Sequence, residues 1–241
     1  MPTFNESGHI EDLINESANA LAGWVEDFEI IVVDDDSPDK TWEIAERCAD
    51  GRNKVRVIRR MSDHGLTPSI QEGIDAARFE VIGWMDCDFS HPPEKIPQLI
   101  YMLDQGYDVA VNSRYSCGGG ELREGKGSPI QLFLSINLNW GIRFMLHSPF
   151  SDYTSGFIAA RREVLDRVKL RGDYGEYFID LIYRALRSGY RVCELPYMAQ
   201  VRRSGESKTG SSLMQYMRRG RKYLATVVRL RWEDLRKTTA S

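Results

Sequence analysis

Val81-Ile82-Gly83-Trp84-Met85-Asp86-Cys87-Asp88-Phe89-Ser90-His91-Pro92-Pro93 is an apolar run that stops at two carboxylates and a proline pair. Such a run reads as a buried strand delivering acids to its carboxyl end. In open α/β sheets that end is where ligands bind. Asp86 and Asp88, with only Cys87 between them, repel each other unless a cation sits between or beside them. Hard oxygen ligands of this kind suit Mg²⁺ or Mn²⁺, which in turn suit a diphosphate. Asp-x-Asp is also common by chance in solvated loops and helix starts, so the surrounding chain has to decide.

Outward from this strand, strand-like and helix-like segments alternate. Ile10, Leu13, Ile14, Ala18 and Leu21 recur at helical spacing before the strand candidate Phe28 to Val33. A helix from Pro38 to Ala49, a strand Val55 to Ile58 and a helix Ser69 to Ala77 lead to Val81. A helix Pro93 to Gln105 and a strand Val109 to Val111 follow. This is the βαβ rhythm of a mostly parallel, doubly wound α/β sheet. The second half is less regular, with a glycine-rich stretch around Gly118 to Gly127, a helix Ile130 to Leu146, a strand Gly156 to Ala160, a helix Tyr177 to Arg187 and a strand Arg191 to Leu195. A last long helix spans Ser212 to Leu235. Pro2 to Glu6 reads as the loop after a first strand with only Met1 ahead of it, and the expectation is a truncated first strand.

The 241 residues, 42% hydrophobic and 28% charged, are those of an ordinary globular chain with one substantial core. No stretch has the length and apolarity of a membrane span, and no signal-peptide pattern opens the chain, so a cytoplasmic place is expected. Cys48, Cys87, Cys117 and Cys193 are scattered without C-x-x-C spacing and read as reduced thiols. Net charge is −3, unevenly spread: from Arg202 to Trp232 nine Lys or Arg residues face the single acid Glu206. That asymmetry points to an anionic partner at the C-terminal end.

Six segments in order become specific together: PTFNE (Pro2 to Glu6), VVDDDSPDKT (Val32 to Thr41), MDCDFSHPPE (Met85 to Glu94), NSRY (Asn112 to Tyr115), DYTSGF (Asp152 to Phe157) and GESK (Gly205 to Lys208). In these the chain resembles family-two inverting glycosyltransferases of GT-A fold, above all dolichyl-phosphate mannose synthases and related polyprenyl-phosphate sugar transferases. The resemblance implies a nucleoside pocket lined by Pro2, Phe4, Glu6, Val33 and Asp35, with Asp86 and Cys87 also at the donor. It implies a divalent metal, Mg²⁺ or Mn²⁺, on Asp86 and Asp88 with Ser90 as a third oxygen ligand. Arg114, Arg202 and Lys208 are then expected at the reacting phosphates, and Asp180 near the acceptor. Asp36 or Ser37 is expected to cap the helix that follows, and the Asp152 to Gly156 turn to shape the sugar pocket.

The implied reaction moves a hexose, with mannose from GDP-mannose the leading donor, onto a polyprenyl phosphate at the cytoplasmic membrane face. No nucleic-acid partner is expected. Two domains are expected: a GT-A domain over 1–211 and a basic amphipathic helix and tail over 212–241, which either lies on anionic lipid or packs its stripe on the catalytic domain. The resembling synthases carry cations on the helix after the glycine-rich loop, where this chain has Gln131 and Ile136; only Ser135 and Asn139 keep the polar pattern. Open beside this reading are transfer to a saccharide or protein hydroxyl with Asp180 as base, a phosphohydrolase with Asp86 as nucleophile and Asp88 as acid, and a non-catalytic lipid-binding or scaffold relative.

Overall fold

A computed structural model describes residues 1–49, 54–122, 129–200 and 213–239. In chain order the elements are β1 (Pro2–Thr3), α1 (Ile10–Ala22), β2 (Ile30–Asp34), α2 (Thr41–Ala49), β3 (Val55–Arg59), α3 (Leu66–Ala76) and β4 (Val81–Trp84). After a single 3₁₀ turn at Pro93–Lys95 come α4 (Ile96–Asp104), β5 (Val109–Ser113), β6 (Gly120–Glu121), α5 (Pro129–Leu146), β7 (Ile158–Arg161) and α6 (Arg162–Arg167). The chain then forms α7 (Glu176–Arg187), β8 (Val192–Pro196), β9 (Met198–Ala199) and α8 (Leu213–Thr239).

The strands form a parallel three-stranded sheet, β1-β2-β3, and a four-stranded sheet ordered β4-β7-β5-β8; β6 and β9 make a small parallel ribbon. In the larger sheet β7 runs antiparallel to both β4 and β5, while β8 is parallel to β5. The rhythm of the sequence implied a mostly parallel sheet, and β7 is the strand that runs against the others. Its connection to β4 and β5 runs through the long α5 excursion, so the chain returns from the opposite end.

Alternation along the strands assigns two faces. Ile82 and Trp84, Val109 and Val111, and Ile158 and Ala160 enter the largest core cluster with residues of α3, α5, α7 and α8. Met85, Ala110, Phe157 and Ala159 enter the second cluster with Leu13 of α1 and Leu99 and Leu103 of α4. Helices therefore cover both faces of the larger sheet, as a doubly wound arrangement requires. A third cluster places Ile10 and Ile14 of α1 and Ala45 of α2 on Ile30, Val32 and Val55.

β1 is only two residues long. It is held by Met1, whose amino group donates to the Ile31 carbonyl at 2.8 Å and whose carbonyl accepts from the Val33 N–H at 2.9 Å. Between the edges of β2 and β4 lies a cavity of about 400 Å³. Its walls include Ile31 and Val33 of β2, Ile82 of β4, Ile74 of α3 and Leu99 of α4. Sheet edges on two sides and helix faces above and below are the surroundings of a strand. A version extended ahead of Met1 by a short run of alternating Val and Ile should seat that run between β2 and β4. Urea unfolding should report a gain of at least about 3 kcal/mol, the worth of one to two buried aliphatic side chains; unchanged stability would mean that the cavity takes no strand.

α8 packs one stripe and exposes another. Val227 and Leu230 join the largest core cluster and Tyr223 packs against it, whereas Leu224, Val228 and Trp232 face solvent. The inner side of the helix therefore packs on the catalytic unit, as one of the two readings had it. Ion pairs fasten it to α7: Arg229 Nη2 lies 2.6 Å from Asp180, Arg187 Nε 3.2 Å from Asp234, and Tyr183 donates to Asp234. Asp180 is fully buried and gives its second oxygen to Arg184 at 2.9 Å. Asp180→Ala leaves two arginines facing a void, one of them 41% exposed at its side chain. Equilibrium denaturation should therefore show a loss of about 2–3 kcal/mol, below the full cost of stranding a wholly buried charge. Asp180→Asn should recover part of that loss.

Candidate active site

The loop after β1 is wired to the loop after β2, main chain to side chain. Asn5 N–H donates to Ser37 Oγ (3.0 Å), Glu6 N–H to Thr41 Oγ1 (2.9 Å) and Ser7 N–H to Asp39 Oδ2 (3.0 Å). Asp39 also accepts from the Thr41 N–H and hydroxyl at the start of α2. The helix therefore begins three residues later than its proline suggests, and its cap is Asp39. Asp34, fully buried, accepts from Thr3 Oγ1 (2.8 Å), Ser37 N–H (2.8 Å) and Ser37 Oγ (2.7 Å), so Ser37 closes this turn and the helix cap expected of Asp36 or Ser37 falls to Asp39. Asn5 and Asp36 take positive φ of 56° and 52°, a conformation Asn and Asp tolerate better than other non-glycine residues.

Asp35 is buried and already engaged. Its Oδ1 accepts from Arg60 Nη1 (2.5 Å) and Ser69 Oγ (2.7 Å), and its Oδ2 from the Gly65 N–H (2.7 Å). Arg60 also binds Glu72 (2.8 Å) and the Asp63 carbonyl (2.5 Å). A carboxylate has about four acceptor positions, so Asp35 keeps capacity for a ligand hydroxyl while its rotamer is fixed. Phe4 follows Thr3, whose carbonyl accepts from the Asp35 N–H at 3.1 Å, and 43% of its surface is exposed. Pro2 and Val33 pair in register beneath it.

The Asp86–Asp88 turn closes against the same loop. His9 holds Glu6 at 2.8 Å and meets Phe89 edge-on at 6.2 Å between centroids. Asp88 is buried, and its Oδ1 accepts from the Ser90 N–H (2.9 Å) and Ser90 Oγ (2.6 Å). Ser90 thus orients the Asp88 carboxylate. Asp86 is half-buried, and its N–H donates to His91 Nδ1 at 3.0 Å. Burial lowers His91 below the ordinary imidazole value, and the nearby Asp86 and Asp88 charges only partly oppose this. The neutral ring, accepting at Nδ1, carries its proton on Nε2. It stacks on Phe157 at 4.9 Å, so its work is to shape the turn. Cys87 points into the core with Met85 and Phe89, where burial pushes the thiol up; only its main chain is left for a ligand. Phe89, at φ 63°, makes the sharp bend before the prolines.

Arg114 follows β5, and Asp152 is its main partner. Nε and Nη2 reach the two Asp152 oxygens at 2.8 Å each, Nη2 also donates to Thr154 Oγ1 (2.8 Å), and Glu121 lies 3.4 Å from Nη1. Burial would raise the Asp152 carboxyl, but the Arg114 guanidinium and the hydrogen bonds from Arg114 and the Thr154 N–H outweigh it and hold it below the usual carboxylate range. Asn139 of α5 donates to Thr154 Oγ1 (3.0 Å) and accepts from the Tyr153 N–H (2.7 Å); Ser135 accepts from the Tyr115 hydroxyl (2.8 Å). Gly119 folds back onto this corner so closely that a Cβ would lie 2.5 Å from the Ser113 carbonyl oxygen.

The predicted positions thus divide. Loops carrying Phe4, Glu6 and Asp35 and the turn carrying Asp86, Asp88 and Ser90 are linked through His9 and Phe89, and Arg114 is anchored on Asp152. Asp180 is joined to α8 through Arg229. Arg202 and Lys208 lie outside the described residues, as does the Gln131 side chain. Sequence reasoning missed Arg60 and the use of Asp152 as an arginine partner. Arg60 sits in a two-arginine run where either residue could face inward, and only strand alternation after β3 distinguishes them.

Among the described residues no group of three or more His, Cys, Asp or Glu is arranged to hold a metal. Asp86 and Asp88 offer two carboxylates in an oxygen-rich turn, which fits a hard divalent cation completed by ligand oxygens and water.

Residues 1–169 match glycosyl transferase family 2, and this chain belongs to that family. It is 35% identical over 219 residues to the dolichol-phosphate mannosyltransferase of Pyrococcus furiosus, covering 90% of this chain and 60% of that protein. It is 35% identical over 225 residues to the polyprenol monophosphomannose synthase of Mycolicibacterium smegmatis, covering 90% of this chain and 82% of that protein. The chain therefore spans less than two thirds of the archaeal relative's length. The fold is that of glucosyl-3-phosphoglycerate synthase from Mycobacterium tuberculosis, solved with Mn²⁺, UDP and phosphoglyceric acid: TM-score 0.70 at 18% identity, over 95% of this chain and 76% of that one.

Because the Asp152 carboxyl is depressed in the folded state, its contribution to stability is complete above the unfolded carboxylate value of about 3.9 and is lost as pH falls through the lower folded value. Thermal midpoints measured from pH 6 downward, on the order of one-unit steps, should fall more steeply in this window for the native chain than for Asp152→Asn. Equal slopes would deny the Arg114 pair its role.

Proposed function

We propose that this chain transfers a hexose, mannose from GDP-mannose in the leading case, with inversion onto a polyprenyl phosphate at the cytoplasmic face of a membrane. The observation that carries this reading is the junction of the Phe4–Glu6 loop, Asp35 and the Asp86–Asp88 turn, in a chain 35% identical over 90% of its length to two named polyprenyl-phosphate mannose-transferring proteins.

In this reading Phe4 lies on the base, Pro2 and Val33 form the floor, and Glu6 and Asp35 accept hydrogen bonds from base or ribose. Arg60 is a positioning residue, fixing Asp35 through a charge-assisted bond. Asp86 and Asp88, with Ser90 orienting the second, would hold Mg²⁺ or Mn²⁺, whose chemistry there is to neutralise the leaving diphosphate. An acceptor phosphate oxygen attacks the anomeric carbon from the face opposite the diphosphate; the new C–O bond forms as the C–O bond to the diphosphate breaks. A phosphate monoester is already anionic near neutral pH, so no general base is required and proximity with charge neutralisation supplies the acceleration. Arg114 is held at the same corner, and Arg202 and Lys208 are proposed to add positive charge to the phosphates.

Transfer to a hydroxyl would need a base. Asp180, the candidate for that part, has one oxygen on Arg184 and the other on Arg229. This favours the phosphate acceptor, and we assign Asp180 to the α7–α8 tie. Purified protein with Mg²⁺ or Mn²⁺ should bind GDP-mannose by calorimetry and yield lipid-linked hexose, read by mass, from extracted polyprenyl phosphates. Asp88→Ala should lower turnover by at least about a hundredfold, the scale of losing transition-state charge stabilisation. No binding across GDP- and UDP-sugars would sink the reading; product only on saccharides would move it to the hydroxyl acceptor.

A further inference from the structure

His9 stands between the two halves of the candidate site. It occupies the N-cap position of α1, yet its side chain makes no cap bond; the Glu6 carbonyl accepts instead from the His9 N–H (3.2 Å) and the Ile10 N–H (3.1 Å). The entry to the helix is therefore built from main chain. The buried ring is turned to two other contacts.

Nε2 lies 2.8 Å from Glu6 Oε2, and the ring meets the buried Phe89 ring at 76°, with 6.2 Å between centroids. A carboxylate only accepts, so Nε2 carries the proton and donates it to Glu6. The Glu6 N–H is already fixed on Thr41 Oγ1 at 2.9 Å, and the His9 bond adds a fixed point at the carboxylate. On the other side Phe89 takes φ 63°, a left-handed conformation that a bulky side chain holds only when its surroundings keep it there. The His9 ring belongs to those surroundings, together with Leu13 of α1. Phe89 lies between Asp88 and Ser90, so a shift of this bend would carry the Asp88 carboxylate with it.

Charge brings the two contacts together. Burial raises the Cys87 thiol most, and the Glu6, Asp86 and Asp88 charges each raise it further. Three carboxylates thus converge on one turn, where they repel unless cations or donors come between them. His9 supplies a donor to the first, and a divalent cation suits the other two.

We infer that His9 is a positioning residue that makes the nucleoside half and the metal half of the site bind a nucleoside diphosphate as one unit. Its Nε2 aims Glu6 at the nucleoside, and its ring steadies the Phe89 bend behind Asp88. The inference deepens the proposed function and rests on its donor site. Coupling between the halves is reciprocal: Mn²⁺ raises the affinity for nucleotide by the factor by which nucleotide raises the affinity for Mn²⁺.

Two substitutions separate the contacts. His9→Gln keeps a side-chain N–H for Glu6 and removes the ring, whereas His9→Phe keeps a ring against Phe89 and removes the N–H. GDP binding is measured by calorimetry with and without Mn²⁺, and the thermal midpoint of each chain is recorded beside it. In His9→Phe the metal-free affinity should fall about tenfold, the scale of a lost hydrogen bond to a charged group, while the gain on adding Mn²⁺ is kept. In His9→Gln the metal-free affinity should stay within about twofold of the native value, and the gain on adding Mn²⁺ should shrink about threefold or more, the scale of a lost aromatic pair. Affinities within about twofold of native in both variants, with and without Mn²⁺, would overturn the inference. Equal losses in both variants that follow a fall in thermal midpoint would overturn it too, by making His9 a packing residue. A native chain that binds GDP but yields no lipid-linked hexose would leave the inference standing and remove the proposed transfer. A native chain that binds neither GDP nor UDP would remove both.

Discussion

The bidentate pair between Arg114 and Asp152 holds the corner between β5 and α5 together. Asp152 is fully buried, so its charge is tolerated only because a guanidinium meets both oxygens in the fork geometry that carboxylates prefer. From that pair bonds run to every neighbouring element: Thr154 to α5 through Asn139, Glu121 to the β6–β9 ribbon, and the Ser151 and Asp152 N–H groups to Glu194 of β8. Lengthen or remove either side chain and four elements lose their common point. Beside it Gly119 approaches the main chain of Ser113 and Arg114 more closely than any side chain allows.

The loops after β1 and β2 are built differently, from main-chain donors captured by side chains. Three successive N–H groups after β1 would otherwise be unpaired where the strand ends. Ser37, Thr41 and Asp39 take them, and Asp34 beneath takes the hydroxyls of Thr3 and Ser37. Each short side chain reaches the neighbouring loop, Asp39 while also capping α2, which ties the two loops together. Asp35 then projects from that unit with its direction set by Arg60 and Ser69. Residues in left-handed backbone at Asn5, Asp36 and Phe89 accompany this construction, the backbone strain that ligand-binding loops commonly store.

α8 packs into the same core. Its ion pairs to α7 are partly exposed and individually modest, but its buried stripe shares the largest core cluster with α5 and α7. The buried stripe of the basic helix is therefore continuous with the packing of the catalytic unit.

The residues themselves told of the α/β class, the strand ending at Asp86, and the family to which the chain belongs, because periodicity and short motifs are local properties that survive without coordinates. Residue-by-residue roles were less legible. Asp180 reads the same in a string whether it faces an acceptor or an arginine, and Arg59 and Arg60 are indistinguishable until the twist of β3 turns one toward Asp35 and the other toward Asp36 and Trp42. The antiparallel course of β7 and the Asp152 partner of Arg114 belong to the same class. They depend on which segments the chain brings together over 30 or more positions of separation, as between Arg114 and Asp152, and burial and pairing at that range are decided only when the core closes.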